Sequence, residues 1–356
     1  MNPDKNSYRV IGLMSGTSLD GVDLAFCVFT KQEDKWSYQI EVAETSTYSN
    51  EWLSLLPTLM QADAFTFSKA NTDLGVYFGQ LIRTFIDKHH LETDFIASHG
   101  HTVFHQPGIG LTVQIGNGAA IAATCGLPVV CDFRSGDVAL GGQGAPLVPV
   151  GDVLLFSDFD FCLNLGGFSN VSYQVEGRRI AFDICPVNTI LNALSERVGL
   201  KFDRSGLIAR TGTIDPQLLS DLNDQDFYSL IPPKSLGFEW SNEHIWPLIN
   251  ASSLPVQDIL RTVVEHIATQ IATSLSGFEK GRLLLTGGGA KNIFLIERIA
   301  TLTKHKLVIP SELIIDYKEA LIFAFLGVLR VREEVNCLSS VTGASRDSVC
   351  GAIYLP

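Results

Sequence analysis

The sequence predicts a mixed α/β protein built from two similar halves. Three observations carry this expectation. The chain has 356 residues, room for two ordinary domains or one large one. Apolar strand-like runs alternate with helix-like runs, the order that builds a parallel or mixed sheet covered by helices. One local pattern also occurs twice: strand, Gly-Ser/Thr turn, strand, at Val10–Phe29 and again at Phe161–Val175. Two such halves are expected to face one another across a cleft. The best boundary is near Asp158, where Ser-Asp-Phe-Asp precedes a fresh strand. That gives domains 1–157 and 158–356, with the final ~20 residues expected to pack back on the first.

The first half starts with strands at Val10–Gly12 and Val22–Phe29 around a glycine-rich turn. Ala64–His90 has helical spacing, with Gly75 and Gly79 as weak points. Asp94–Ser98 and Leu111–Ile115 are short apolar strands. Asn117–Cys125 is a helix stopped by Gly126 and Pro128, and Leu127–Cys131 is a strand. The second half restarts with Phe161–Leu165, a Gly166-Gly167 turn, and strands at Asn170–Val175 and Ile180–Asp183. Pro186 marks a helix start that leads into Asn188–Val198. A helix at Pro255–Ser276 precedes the strand Arg282–Thr286, then Gly287–Gly289 and a helix near Asn292–Thr301. Glu319–Arg332 is a strongly apolar core helix.

Composition narrows the function. Apolar residues make up 46% and charged residues 18%, the latter below the usual share of about 25%. Such a chain can bury a large core, which excludes disorder. There are 38 acidic and 26 basic residues, a net charge of −12. Nucleic acids and anionic membranes need a basic face, so neither is an expected partner. A phosphate can still be held by backbone amides. The longest charge-free apolar run, Ala320–Leu329, is far short of the roughly 18 residues needed to span a bilayer. The N-terminus has no long apolar stretch, so no secretory signal is expected. The seven cysteines are scattered and none forms Cys-x-x-Cys, which argues against zinc and thioredoxin-type sites and for reduced thiols in a cytoplasmic protein.

Three glycine turns follow strands. In Gly12–Asp23 the amides and the Thr17 and Ser18 hydroxyls can point at phosphate oxygens, and Asp20 and Asp23 suit a hydrated Mg²⁺ or a sugar hydroxyl. A plain hairpin turn is the simpler alternative. Gly166-Gly167 and Gly287-Gly288-Gly289 are each weaker signals, since glycines after a buried strand often serve close packing. No Walker A or dinucleotide fingerprint is present. In Ser98–Thr102, His99 and His101 share a face only if the strand persists through Gly100. Hydrogen-bonding histidines are favoured there over metal ligands. Arg134 could fork onto a carboxylate or phosphate, or pair with Asp132 or Asp137. Asp183 ends a strand where open α/β sheets bind ligands and could be a general base, or simply a helix N-cap. Glu319 at a helix start is a candidate with an equally ordinary structural role.

These segments resemble the anhydro-N-acetylmuramic acid kinase family nearly end to end. The resemblance rests on GLMSGTSLDGVD at Gly12–Asp23, SHGHTVFHQP at Ser98–Pro107 and QIGNGAAIA at Gln114–Ala122. It continues through VVCDFRSGDVALGGQGAPLVP at Val129–Pro149, LNLGGFSNVS at Leu163–Ser172 and Phe182-Asp183. TGGGAKN at Thr286–Asn292, EALIFAFLG at Glu319–Gly327 and VTGA at Val341–Ala344 complete it. It implies the two-domain actin-like ATPase fold, a duplicated ribonuclease H-like arrangement. It implies MgATP as phosphate donor and an anhydro amino sugar as substrate, hydrolysed and phosphorylated on its 6-oxygen for cell-wall recycling. A homodimer is the oligomer expected. Asp183 matches the family's general base. Gly16, Thr17, Ser18, Leu19, Asp20, Gly21, Val22 and Asp23 match its ATP segment, and Gly166, Gly167, Gly287, Gly288 and Gly289 its phosphate and adenosine loops. His99, Arg134 and Glu319 fall in blocks placed around the sugar, with Arg134 suited to the lactyl carboxylate. The family usually reads Asp-Thr-Gly-Pro-Gly-Asn where this chain has Asp183-Ile184-Cys185-Pro186-Val187-Asn188. Lys234–Glu239 likewise lacks the family's arginine, and His101 replaces a glutamine. A kinase for another amino sugar, or a regulatory ATP-binding protein without turnover, are the alternatives.

Overall fold

Strand β1, Ser7–Ser15, is central because its apolar residues alternate with nothing: Val10, Ile11 and Leu13 are all fully buried, so both faces of the strand are covered. In this computed structural model, which describes residues 2–16 and 19–356, the strand anchors the first of two units. That unit comprises Met1–Leu155 and Tyr317–Pro356; the second comprises Phe156–Asp316.

In the first unit β1, β2 (Val22–Gln32) and β3 (Lys35–Ser46) form an antiparallel meander. β4 (Phe95–Gln106) runs parallel to β1, and β5 (Leu111–Ile115) folds back on the far half of β4. β6 (Val129–Cys131) is parallel to β4. The order is therefore β3-β2-β1-β4-β6. The second unit holds β7 (Phe161–Leu165), β8 (Phe168–Val175), β9 (Arg178–Pro186), β10 (Arg282–Thr286) and β11 (Lys306–Val308). Its order is β9-β8-β7-β10-β11, with the first three antiparallel and the last two parallel to β7. Order and direction repeat strand for strand, which is the duplicated ribonuclease H-like arrangement of the actin-like fold. The last strand, β12 (Ala352–Tyr354), returns to the first sheet, antiparallel to β6.

Helix ends follow their capping residues. Ala64–His89 is capped by Asp63, which accepts from the amides of Phe65 and Thr66, and ends at His90 in the left-handed conformation. Gly75 and Gly79 do not weaken it. A Cβ on Gly75 would lie 2.6 Å from the Asn117 carbonyl oxygen, and one on Gly79 would lie 2.5 Å from Thr124 Cβ. Both glycines let the helix Gly118–Cys125 approach closely. Asn117 caps that helix, and Asn292 caps Ile293–Leu302.

Three expectations are corrected. Pro186 closes β9 instead of opening a helix; lacking an N–H, it pairs with Phe168 at the very end of the ladder, and the helix runs Asn188–Glu196. The apolar helix begins at Glu312, not Glu319, bends at Tyr317 and ends at Val331. β4 runs on well past Ser98 because β5 pairs with its far half.

Within the first unit the Tyr317–Val331 part of that helix lies hard against the sheet. A Cβ on Gly12 would fall 2.0 Å from the Ala320 carbonyl oxygen, and one on Gly327 would fall 2.7 Å from Ala97 Cβ. These two glycines set how close Glu319 comes to the end of β1. No helix among the described residues is long and apolar enough to cross a membrane.

Candidate active site

In the first unit the residues converge at the ends of β1, β4 and β6. Leu13 pairs with Ser98 and Ser15 with His101, so β4 carries one extra residue across that step. Gly100, at φ +75°, supplies the required left-handed turn. The bulge sends the two histidines to different partners, although the strand does persist through Gly100. His101 Nδ1 lies 2.9 Å from Ser15 Oγ, which is also hydrogen-bonded to the Tyr48 hydroxyl. His99 meets Arg134 instead.

The His99–Arg134 geometry determines a protonation state. Arg134 Nε and Nη2 reach His99 Nε2 at 3.1 and 2.8 Å. A guanidinium can only donate, so Nε2 must accept. His99 Nδ1 therefore carries the proton and donates to the Gly100 carbonyl at 2.9 Å. Burial and the adjacent guanidinium agree, holding the His99 pKa well below its ordinary value. Arg134 Nη1 donates to the Gly144 carbonyl at 2.7 Å, and burial lowers the guanidinium to about 10, still charged at neutral pH. Arg134 thus pairs with neither Asp132 nor Asp137, contrary to the simpler sequence expectation. Asp137 is instead buried, accepting from the Gly144 amide and the Thr342 hydroxyl at 2.7 Å each. Among the described residues, three of the five guanidinium donors have hydrogen-bond acceptors.

Glu319 stands one helical turn before Phe323, whose ring lies 4.6 Å from that of His99. It is exposed, yet desolvation by the surrounding protein raises its carboxyl pKa; Arg134 and Lys318 pull it back, and Asp20 adds to the rise. Lys318 is itself buried against Asp152 at 2.7 Å. His99, Arg134, Glu319 and Asp20 are therefore electrostatic neighbours. In the turn itself Leu19 is held at φ +58°, a strained conformation for a residue with a Cβ. Asp23 accepts from Thr45 Oγ1 at 2.6 Å. Thr17 and Ser18 lie outside the described residues.

The second unit groups Asp183 with both remaining glycine turns. Asn170 pairs with Asp183 but Ser169 with Cys185, so Ile184 is an extra residue in β9, next to the carboxylate. One oxygen, Asp183 Oδ2, accepts from the Leu236 amide at 2.8 Å, and the Asp183 amide donates to the Lys234 carbonyl at 3.0 Å. Desolvation raises the carboxyl pKa and the Leu236 N–H partly offsets it. Asp183 is not a helix cap; the residue at the cap position is Val187.

Gly166 and Gly167 offer their carbonyls to the Asn188 and Val187 amides. Gly287 is at φ +79°, where a Cβ would lie 2.5 Å from Asn164 Oδ1, and one on Gly289 would lie 2.8 Å from Leu165 Cβ. The two turns therefore pack against one another and against the start of the helix Asn188–Glu196, whose first amides are capped by the Gly166 and Gly167 carbonyls. Sequence reading singled out neither Tyr48 nor the hold of Lys234–Leu236 on Asp183. Both are long-range contacts, and only the family-like Lys234–Glu239 block hinted at the second.

The buried histidines predict an acid sensitivity. His101 is lowered to about 4 and His266 to about 3 by burial, and the buried His99 shifts the same way. Below the unfolded value of about 6.5 the unfolded chain binds protons that the folded one refuses. Stability should therefore fall as pH drops from 6.5 toward 4, by about 1.4 kcal/mol per pH unit for each fully neutral histidine. Urea melts between pH 7 and 5 check this. His101→Gln should flatten the slope; an unchanged slope would contradict the assignment.

The family model for anhydro-N-acetylmuramic acid kinase matches residues 8–356. A protein of that name from Sulfurovum sp. (strain NBC37-1) is 34% identical, covering 98% of this chain and 100% of its own. One from Pasteurella multocida (strain Pm70) is 37% identical, covering 97% and 96%. Among solved structures, the activator of 2-hydroxyisocaproyl-CoA dehydratase from Clostridium difficile, with bound ADPNP, is 12% identical over 91% of this chain and 96% of that one, with a TM-score of 0.44.

Proposed function

Because the chain belongs to the anhydro-N-acetylmuramic acid kinase family and is an ATP-dependent carbohydrate kinase, we propose that it acts on 1,6-anhydro-N-acetylmuramic acid, with ring opening and phosphorylation linked. Water attacks the anomeric carbon as the bond from that carbon to the 6-oxygen breaks. The released 6-oxygen takes the γ-phosphoryl group, and ADP leaves. The product is N-acetylmuramic acid 6-phosphate, and the work is done in the cytoplasm, where ATP is available.

The observation that carries this reading is the state of Asp183. One of its oxygens is engaged by a backbone amide, and burial has raised its proton affinity. A carboxylate tuned upward is a better general base for water. Arg134 donates to the lactyl carboxylate, and His99 holds the guanidinium in place. Glu319, exposed and raised in pKa, is an acceptor for a sugar hydroxyl. The glycine turns hold the phosphates through backbone amides. Asp20 and Asp23, hard oxygen donors of which Asp20 is exposed, fit a Mg²⁺ ion accompanying the nucleotide. Such an ion would neutralise phosphate charge.

The test is a reaction in ¹⁸O-water with ATP and a panel of anhydro and reducing amino sugars. The anhydro muramic sugar should give a 6-phosphate with one ¹⁸O at the anomeric hydroxyl and one ADP per product. Turnover confined to a reducing sugar would make the protein a kinase for another amino sugar. A rise in melting temperature with MgATP but no product would make it a regulatory ATP-binding protein.

A further inference from the structure

The loop that covers Asp183 is poorly held by apolar packing. Leu230 is 54% and Ile231 86% exposed, so neither pins it to the unit. One ring contact, Phe238 on Phe168 at 5.5 Å between centroids, lies past its far end, and Phe238 is itself 61% exposed. The inward-facing group is Lys234. Its ammonium donates to the carbonyls of Phe227 and Tyr228 at 3.0 and 3.2 Å. It also lies over the Phe227 ring at 4.7 Å and the Phe182 ring at 5.8 Å. Phe182 is the residue immediately before Asp183.

The carbonyls that receive this ammonium are themselves anchored. The Tyr228 hydroxyl lies 3.0 Å from His266 Nε2, and His266 Nδ1 lies 2.7 Å from Asn223 Oδ1. The amide oxygen of Asn223 can only accept, so His266 Nδ1 donates and Nε2 accepts from Tyr228. Gln270 donates to the same Asn223 oxygen at 2.8 Å. A buried polar network of this kind is rigid when every member is satisfied. The loop is thus tied to the core on one side and to β9 on the other, where Lys234 accepts from the Asp183 amide and Leu236 donates to Asp183 Oδ2.

We propose that Lys234 is a positioning residue for Asp183: its ammonium, seated on the Phe227 and Tyr228 carbonyls, holds the loop so that the Leu236 N–H orients one carboxylate oxygen and leaves the other for the attacking water. The proposal rests on the reading of Asp183 as the general base. The titratable groups around the carboxylate are Lys234 on the loop, Tyr228 beyond it and Cys185 on the same strand. No charge among them moves the Asp183 carboxyl; burial raises it and the Leu236 N–H lowers it. Losing that N–H must therefore raise it further.

The experiment is the pH profile of kcat/KM for the anhydro sugar in the full-length protein. Lys234→Met should displace the acid limb upward by about one pH unit, the size of one charge-assisted hydrogen bond. The kcat at neutral pH should fall about tenfold through misorientation, with KM for ATP unchanged. Lys234→Arg, which keeps the donors, should restore much of both. Leu236→Pro removes the N–H while leaving Lys234 in place, and serves if Lys234→Met does not fold; it should show the same displaced limb. An acid limb at the wild-type pH in a folded Lys234→Met or Leu236→Pro protein overturns the proposal. If Asp183→Asn retains full turnover, it is the general-base reading that fails, and the two failures are separate results.

Discussion

Asp183→Asn should lower turnover of the anhydro sugar by about 10²–10⁴-fold, the usual contribution of a general base. Asparagine keeps the shape and can still accept from the Leu236 amide through its side-chain oxygen. What it loses is the capacity to take a proton from water. Ring opening and phosphorylation should fall together, because the 6-oxygen is free to accept a phosphoryl group only after the ring bond breaks. MgATP should still raise the melting temperature, since the substitution leaves untouched the glycine turns that the proposed reading assigns to the nucleotide. The wild-type pH profile supplies an independent check. Burial raises the Asp183 carboxyl, so kcat/KM should decline on the acid side from a pH above the ordinary carboxylate range. Near-normal turnover in the asparagine variant would remove Asp183 from the chemistry. Lost ATP binding in a folded variant would make it a nucleotide residue.

Arg134→Met should produce the second large effect, and its signature is selectivity. A charge-assisted hydrogen bond to a carboxylate contributes about 1.5–3 kcal/mol, or roughly 10–100-fold in kcat/KM. That loss should fall on the muramic sugar, which carries the lactyl carboxylate. An anhydro sugar without the lactyl group should lose far less. Some stability will go as well, because His99 Nε2 and the Gly144 carbonyl lose their donor. Arg134→Lys should rescue little, because a single ammonium cannot bridge His99 and Gly144 while also presenting a fork to a ligand. Equal losses on both sugars, measured below the melting temperature of the variant, would reduce Arg134 to a structural residue.

Much of this fold was legible because its strands are short apolar runs closed by glycine. Phe161–Leu165, Leu111–Ile115 and Arg282–Thr286 emerge with the bounds expected of them. β3 gave no clear signal, since Lys35–Ser46 mixes charged and apolar residues on a strand only partly buried. β12 is three residues long and depends on its partner β6. Gly75 and Gly79 were misread for a related reason. Local propensity counts a helical glycine as a weakness, and only the neighbouring helix shows it to be a point of close approach. At the site, the residue types were visible but their partners were not. Nothing in the spacing of His99 and His101 announces a bulge that separates them, and the hold of Leu236 on Asp183 spans 53 positions of sequence.

The repeated strand order has an evolutionary consequence. In the first unit, the second rung from the turn pairs Met14 with Asp23, and Asp23 in turn faces Thr45 on the third strand. In the second unit the same rung pairs Asn164 with Asn170, and Asn170 faces Asp183. One ancestral half, copied and fused, would have offered that rung twice. The two copies have since inherited it differently: the acid stands on the middle strand in one and on the outer strand in the other, with an uncharged polar residue opposite each time. Specialisation after duplication thus needed no new scaffold.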